Sequence, residues 1–557
     1  MFTMDSLVFL AIAVAILFAA VQRGGDVART MSEKTHRAIC GAAIAAGVLV
    51  RLARLTSLPA GISAEEALVG VQAKALWQTG GFLFGQGLTT QLSQWAGETT
   101  GPLLAVLTAP FVGLFGMSKL TVRLPLALLS CAAMPAAYGL GEALSGKRAA
   151  RWMLLIAALC PIFVLEARMT CGSCAALYLL PIALCLIARG VTKPAALYPG
   201  MIVLALTAYA QDMYFFIAPA AILACAIITL IFGRQKRHAA ISGAIGLLLC
   251  VPAMLTAFVN LTGAEGMTLL GLIRIPRLEG FEKAFMAENW SVGDKLWAVL
   301  IGGVFQVLRH ENIHQAMYTP DGMLALFMFS LPLMALGALA LFARWTDGRR
   351  AAREKAAARA MVAATCAVTL AALVMFGSVG TLNTNGTTGL FDHSALILFD
   401  AVLMTAGLCT IERKNLRCAA AMGALMAVNF AWLAVQLFGG SYQANANVYF
   451  PGFEQMAARA AEIQAETGEK INVTGNIYPH IQPSDGAEMM FLYATDADMR
   501  TAEAERGTRY ETIYVSDDMQ PEADQIYLAR ADEISNWDLE GFDYEESEGY
   551  ALIYPAR

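Results

Sequence analysis

The chain has 557 residues, 57% of them hydrophobic and 15% charged, with a mean hydropathy of +0.55. Soluble proteins carry about 25% charged residues, so the composition is that of a polytopic α-helical membrane protein and excludes disordered, collagenous and disulfide-rich secreted classes. Residues 439–557 hold 23 acidic against 7 basic side chains, a net of −16, and the remainder holds 21 against 32, a net of +11. A basic membrane part followed by an acidic tail argues against nucleic acid as a partner.

From the N-terminus, residues 7–22 are apolar and Arg23 follows them. A signal peptide puts its positive charge first, so this run reads as a retained helix. Further apolar runs of crossing length fall near 38–58, 121–144, 150–166, 173–189, 195–211, 213–232, 239–259, 320–343, 360–380, 394–411 and 418–438, making twelve expected crossings. Basic clusters at 23–37, 147–151, 189–193, 234–237, 344–359 and 413–417 alternate along the chain and face the cytoplasm by the positive-inside rule. Both termini, the loops 59–120 and 260–319, and the tail are then external. Within the first loop, 64–78 and 101–116 are too short to cross and read as juxtamembrane helices. The loop 260–319 is expected to form further helices. The tail reads as a helix at 452–467 and strands at 470–473, 489–493, 512–515, 526–529 and 550–554, a small α/β domain. The expected organisation is an extra N-terminal helix with its cytoplasmic loop (1–37), a transmembrane catalytic domain (38–440) and an external α/β domain (441–557). The eleven cysteines end at Cys418, so no disulfide framework is expected outside. Cys171 and Cys174 read as small apolar residues of a membrane helix.

Glu65 and Glu66 open the first external loop directly after a membrane helix. Adjacent carboxylates at this place suit a general base that takes a proton from an acceptor hydroxyl or amine; acids also favour the first turn of any helix. Arg168 stands at the end of the fourth crossing, two residues after Glu166. It reads either as a partner of that carboxylate or as a fork for two phosphate oxygens. Gln211 and Asp212 top the sixth crossing as a helix end or a polar cavity wall, and Asp392 and His393 precede the eleventh. His310 and His314, four apart, share a helical face with the spacing of a Zn²⁺ pair, with no third ligand nearby. The sequence holds no Walker loop, no GxGxxG after a strand and no HExxH, so neither ATP, nicotinamide nor a metalloprotease site is indicated.

The succession from Arg51 through Pro59-Ala-Gly, Glu65-Glu66, Gly80-Gly81, Thr100-Gly-Pro-Leu-Leu, Leu114-Phe-Gly, Arg123-Leu-Pro, Tyr138-Gly-Leu-Gly and Gly146-Lys-Arg-Ala-Ala to Cys160-Pro-Ile-Phe-Val-Leu-Glu-Ala-Arg-Met resembles the GT-C superfamily of integral-membrane glycosyltransferases. Within it the succession is most similar to the family 39 type, which includes protein O-mannosyltransferases and lipid A aminoarabinose transferases. The resemblance covers residues 38–190 best and is diffuse to about 440. It implies a sugar donor linked to a polyprenyl phosphate, an unspecified protein, lipid or glycan acceptor, membrane lipids as surroundings, and catalysis at the external face. Glu65 takes the place of the family's acidic base, usually Asp, and Glu66 that of the following Glu. Glu98 falls where functional charge lies near the lipid phosphate, though Thr99 and Thr100 stand where a basic residue is usual. His393 stands in the place of an arginine that faces that phosphate. No cofactor is firmly implied, and a divalent metal is compatible with the pattern. The competing class is a multi-pass transporter or flippase without covalent chemistry. Such proteins place charges near mid-bilayer and often carry inverted repeats; here the acids and arginines cluster at the outer rim and no repeat is visible.

Overall fold

The structure is a computed structural model that describes residues 4–22, 31–93, 99–170, 174–210, 214–277, 291, 293, 324, 326–346, 353–376, 394–439, 450–476, 486–516 and 518–556. In chain order the helices are α1 (Met4–Gln22), α2 (Glu33–Leu52), α3 (Ala64–Thr79), α4 (Leu103–Phe115), α5 (Lys119–Ser145), α6 (Lys147–Leu159), α7 (Pro161–Leu165), α8 (Cys174–Gly190), α9 (Leu197–Leu206), α10 (Tyr214–Phe232), α11 (Lys236–Thr262), α12 (Ser330–Thr346), α13 (Arg353–Phe376), α14 (Ser394–Lys414) and α15 (Leu416–Phe438). A helix lies at each of the expected crossing positions. Among the described residues, six helices are long and apolar enough to cross a membrane, or seven if the bent pair α6–α7 is one span.

Two expected crossings differ in shape from the apolar runs that suggested them. The run 150–166 is broken at Cys160, which is extended (φ −71°, ψ 134°), and Pro161 starts α7; the two helices meet at 60°. Proline lacks the N–H that the continuing helix needs. The run 38–58 stops being helical at Leu52, and Ala53 is extended. Elsewhere the bundle packs on small residues. A Cβ on Gly337 of α12 would come within 1.9 Å of the Leu403 carbonyl oxygen, and one on Gly407 of α14 within 2.3 Å of that of Leu333, the close backbone approach typical of membrane helix pairs.

The loops after α3 and α11 meet in a small sheet. β1 (Leu88–Thr89) runs parallel to β5 (Ile273–Ile275), which pairs antiparallel with β4 (Met267–Leu269); β2 (Leu92–Ser93) pairs with β3 (Thr99–Thr100). The segment 267–275 is thus a hairpin where helices were expected. Most of the rest of the loop 260–319 lies outside the described residues.

Residues 451–555 carry α16 (Pro451–Thr467), β6 (Lys470–Thr474), α17 (Gly486–Ala494), α18 (Ala502–Glu505), β7 (Tyr510–Ile513), β8 (Gln525–Arg530), β9 (Phe542–Ser547) and β10 (Tyr550–Pro555). The sheet order is β7-β6-β8-β10-β9, with β6 parallel to both neighbours and the rest antiparallel. Alternation sorts its side chains. Ile526, Leu528 and Leu552 face α16 and α17; Tyr527, Ala529, Ala551 and Ile553 face a second cluster around Trp537. The segment 489–493, expected as a strand, is the middle of α17. A short, wholly apolar run does not declare its period, and here all of Gly486–Tyr493 is buried. Strand β9 has no counterpart among the expected strands, because Asp543, Glu545 and Glu546 interrupt its apolar alternation; charge suits an edge strand.

Candidate active site

The site is built around the turn 53–63 that leads from α2 into α3. A helix end leaves carbonyls without partners, and here arginines supply them. Arg168, 1% exposed, closes the 3₁₀ turn after α7. Its Nη1 donates to the carbonyls of Val50 (2.6 Å), Arg51 (3.2 Å) and Ala53 (2.9 Å), and its Nη2 to those of Arg54 (3.4 Å) and Leu58 (2.9 Å). Arg51 returns the arrangement. It donates to Ala157 and Ala158 at the end of α6, to Phe163 across the Pro161 break, and to Gly47. Each arginine thus caps the helix that the other one's segment abuts.

Arg123 of α5 is fully buried. It donates to the carbonyls of Leu55, Pro59 and Gly61 and grips Glu66 with both edges of its fork, Nε to Oε1 at 2.9 Å and Nη2 to Oε2 at 2.8 Å. Glu66 also accepts from the backbone N–H of Thr170 at 3.2 Å and of Ser63 at 3.4 Å. The Ser63 hydroxyl accepts from the Glu66 N–H, which completes a capping box for α3. Glu66 is therefore a buried structural carboxylate, 1% exposed.

Glu65 is its opposite. One residue earlier on α3, it points about 100° away around the helix. It is half-buried, and among the described residues no hydrogen bond or ion pair holds it. Glu166, at the end of the bent pair α6–α7, is 5% exposed and accepts from the Cys174 thiol at 2.7 Å. Elsewhere in the first loop, a Cβ on Gly101, just before α4, would come within 2.1 Å of the Tyr209 carbonyl oxygen, so only glycine lets the two backbones meet.

Helix α3, expected as a juxtamembrane helix, is covered over most of its surface by protein. Ten of its residues are buried, between α4 on one side and α17 on the other. Leu68, Val71 and Ala75 share one apolar cluster with Phe453, Met490, Phe491 and Leu492. Polar contacts follow the same seam: Lys74 to Asp496 at 2.6 Å, Lys119 to Glu454 at 2.7 Å, the Gly85 N–H to Glu503 at 2.8 Å and the Met499 N–H to Gln78 at 2.9 Å. The tail therefore roofs the helix that carries Glu65.

Of the residues singled out in the sequence, the structure brings Glu65, Glu66 and Arg168 around one turn. Glu98, Gln211, Asp212, His393, Asp392, His310, His314 and Cys171 lie outside the described residues. Arg274 bonds the Gly85 carbonyl from β5. Arg51 and Arg123 went unassigned, although a charge inside an apolar helix is the signal that marks them. Among the described residues no three His, Cys, Asp or Glu side chains converge as a metal site.

No family model and no curated protein matches the sequence. Solved structures that are similar include ArnT from Cupriavidus metallidurans bound to undecaprenyl phosphate, with 13% identity over 94% of this chain and 98% of that one at a TM-score of 0.46. The apo state of ArnT gives 13% identity, 93% and 96% coverage and a TM-score of 0.43. Archaeal oligosaccharyltransferase AglB from Archaeoglobus fulgidus, in complex with an inhibitory peptide and a dolichol-phosphate, gives 13% identity over 83% of this chain at a TM-score of 0.44; the chain spans 63% of its length. With TM-scores below 0.5, all three are distant likenesses.

Proposed function

We propose that the chain is a membrane glycosyltransferase that moves a sugar from a polyprenyl-phosphate donor to an acceptor at the external face, with Glu65 as general base. The observation that carries the reading is the division within the adjacent pair: Glu66 is locked by Arg123, whereas Glu65, half-exposed and without a partner among the described residues, opens α3 directly after a turn whose carbonyls Arg123 and Arg168 hold. A general base must be rigidly placed yet open to its substrate. The Glu65 carboxylate takes the proton from the acceptor hydroxyl or amine as that atom bonds to the anomeric carbon. The bond from that carbon to the phosphate oxygen breaks, and the leaving polyprenyl phosphate carries the electron pair. One in-line displacement inverts the configuration. Phosphate is already a good leaving group, so no strong acid is required.

In this reading Glu66 and Arg168 are positioning residues. Glu98 and His393 are the donor-phosphate contacts, and Gln211 and Asp212 the cavity wall, as the family resemblance implies. Twelve crossings with the 441–557 unit outside complete the proposal. The test incubates purified protein with labelled polyprenyl-phosphate sugars and a membrane extract, with donor binding followed in parallel. Wild type should attach label covalently to an acceptor with inversion, and Glu65→Gln should bind donor yet lose about 10²–10⁴-fold in turnover. Near-normal turnover in Glu65→Gln, retained configuration, or sugar moved across the membrane without attachment would overturn it.

A further inference from the structure

At the other end of α2, about 22 Å from Arg51 by helix rise, a second polar cluster has no place in the chemistry above. A cavity of 340 Å³ is lined by Met31, Glu33 and His36 before and on α2, by Ser145, Lys147, Arg148 and Arg151 at the α5–α6 turn, and by Glu412 and Arg413 at the end of α14. Its size falls in the range of small-molecule sites, about 300–1,000 Å³. Four cations face two carboxylates, and the floor is organised rather than loose. Arg151, 3% exposed, donates to Glu412, 6% exposed, and to Nδ1 of His36, 7% exposed. Because Nδ1 accepts, Nε2 carries the ring proton toward the Tyr138 hydroxyl at 3.1 Å. Glu412 also accepts from the Trp152 indole at 2.7 Å and pairs with Arg148 at 3.2 Å. Lys147 pairs with Glu33 at 3.2 Å, so both carboxylates are taken by cations of the cluster; the cations still outnumber them by two, and Lys147, Arg148 and Arg413 stand at the rim, half-exposed or exposed. The thirteen-residue helix α6 begins at this rim, and its N-cap Gly146 gives no side-chain bond, so its N–H groups add positive potential.

We propose that this cavity is a headgroup site for an anionic phospholipid. The chemistry it would recognise is a phosphate carrying net negative charge, and its position favours a lipid over a free anion. The α5–α6 turn joins α5, long and apolar enough to cross, to the bent pair α6–α7, and in the topology proposed above it sits at the membrane–water boundary. It also lies on the side rich in basic residues, where anionic lipids are drawn to such clusters.

The experiment titrates the full-length chain in mild detergent with phosphatidylglycerol or phosphatidylcholine and reads lipid retained per chain by native mass spectrometry. Inorganic phosphate is a third arm. Phosphatidylglycerol should be retained at least about tenfold better than phosphatidylcholine. That preference should fall about tenfold in Lys147→Gln/Arg148→Gln and several-fold in the exposed single variant Arg413→Gln, which leaves the Arg151–Glu412 floor intact. Equal retention of the two lipids, or an undiminished preference in both variants, would overturn the site. Inorganic phosphate bound at millimolar concentration and lost in the same variants, without any lipid preference, would overturn the lipid assignment in favour of a free anion.

Discussion

Two substitutions one residue apart should fail in different ways. In Glu66→Gln one carboxylate oxygen becomes an amide NH₂. Oε1 accepts from Arg123 Nε and Thr170 N–H, and Oε2 from Arg123 Nη2 and Ser63 N–H. Whichever way the amide sits, two donors then face a donor. A hydrogen bond involving a charged group contributes about 1.5–3 kcal/mol, and removing one partner of a buried ion pair costs about 3–5 kcal/mol. The three backbone carbonyls that remain on Arg123 keep the cost toward the lower figure. Glu66→Gln should therefore lose about 3 kcal/mol of stability. Glu65→Gln removes no described contact and should stay within about 0.5 kcal/mol of wild type, while losing about 10²–10⁴-fold in turnover. Thermal unfolding in detergent, run beside the transfer assay on both variants, separates the effects. Equal destabilisation by both, or full stability in Glu66→Gln, would refute the reasoning.

Arg168→Lys should lower thermal stability, because three rotatable donors on one nitrogen cannot serve five carbonyls, and donor saturation should be unchanged. A raised donor KM at full stability would place Arg168 on the phosphate instead. Gly70→Leu should pry the tail from α3, since even a Cβ there comes within 3.0 Å of Val122 and 3.2 Å of Tyr493; overpacking of this kind costs about 1–3 kcal/mol. Faster proteolytic release of a fragment near residue 450 is the readout, and unchanged release would contradict the packing. Single cysteines introduced at 344–359 should react only from inside and those at 452–557 only from outside; the reverse would invert the proposed topology.

The helices were legible because a membrane helix announces itself by length and hydropathy alone. Their breaks were less so: Pro161 is visible in the sequence, but a proline inside a crossing kinks one helix and ends another, and only the Arg51 cap shows which. The ranking of Glu65 over Glu66 could be read from the family resemblance but not from the residues, since adjacent acids look alike until a distant arginine chooses one. Arg168 shows the same limit. A guanidinium fork fits two phosphate oxygens and a helix end's carbonyls equally well. The cover on helix α3 was hidden for a related reason: the residues that pack on its apolar positions lie at the far end of the chain.

That separation sets an order on biosynthesis. Lys74 and Asp496 are 422 residues apart, so at roughly 5–20 residues per second the ribosome leaves α3 without its roof for roughly 20–80 s after making it. Apolar residues such as Leu68 and Val71 must be tolerated at a membrane surface, or shielded, until the tail arrives. The helix that bears the proposed base is thus among the first segments made and the last to be fixed, and a chain cut short by a premature stop would reach the membrane with its other helices formed but this one unlocked.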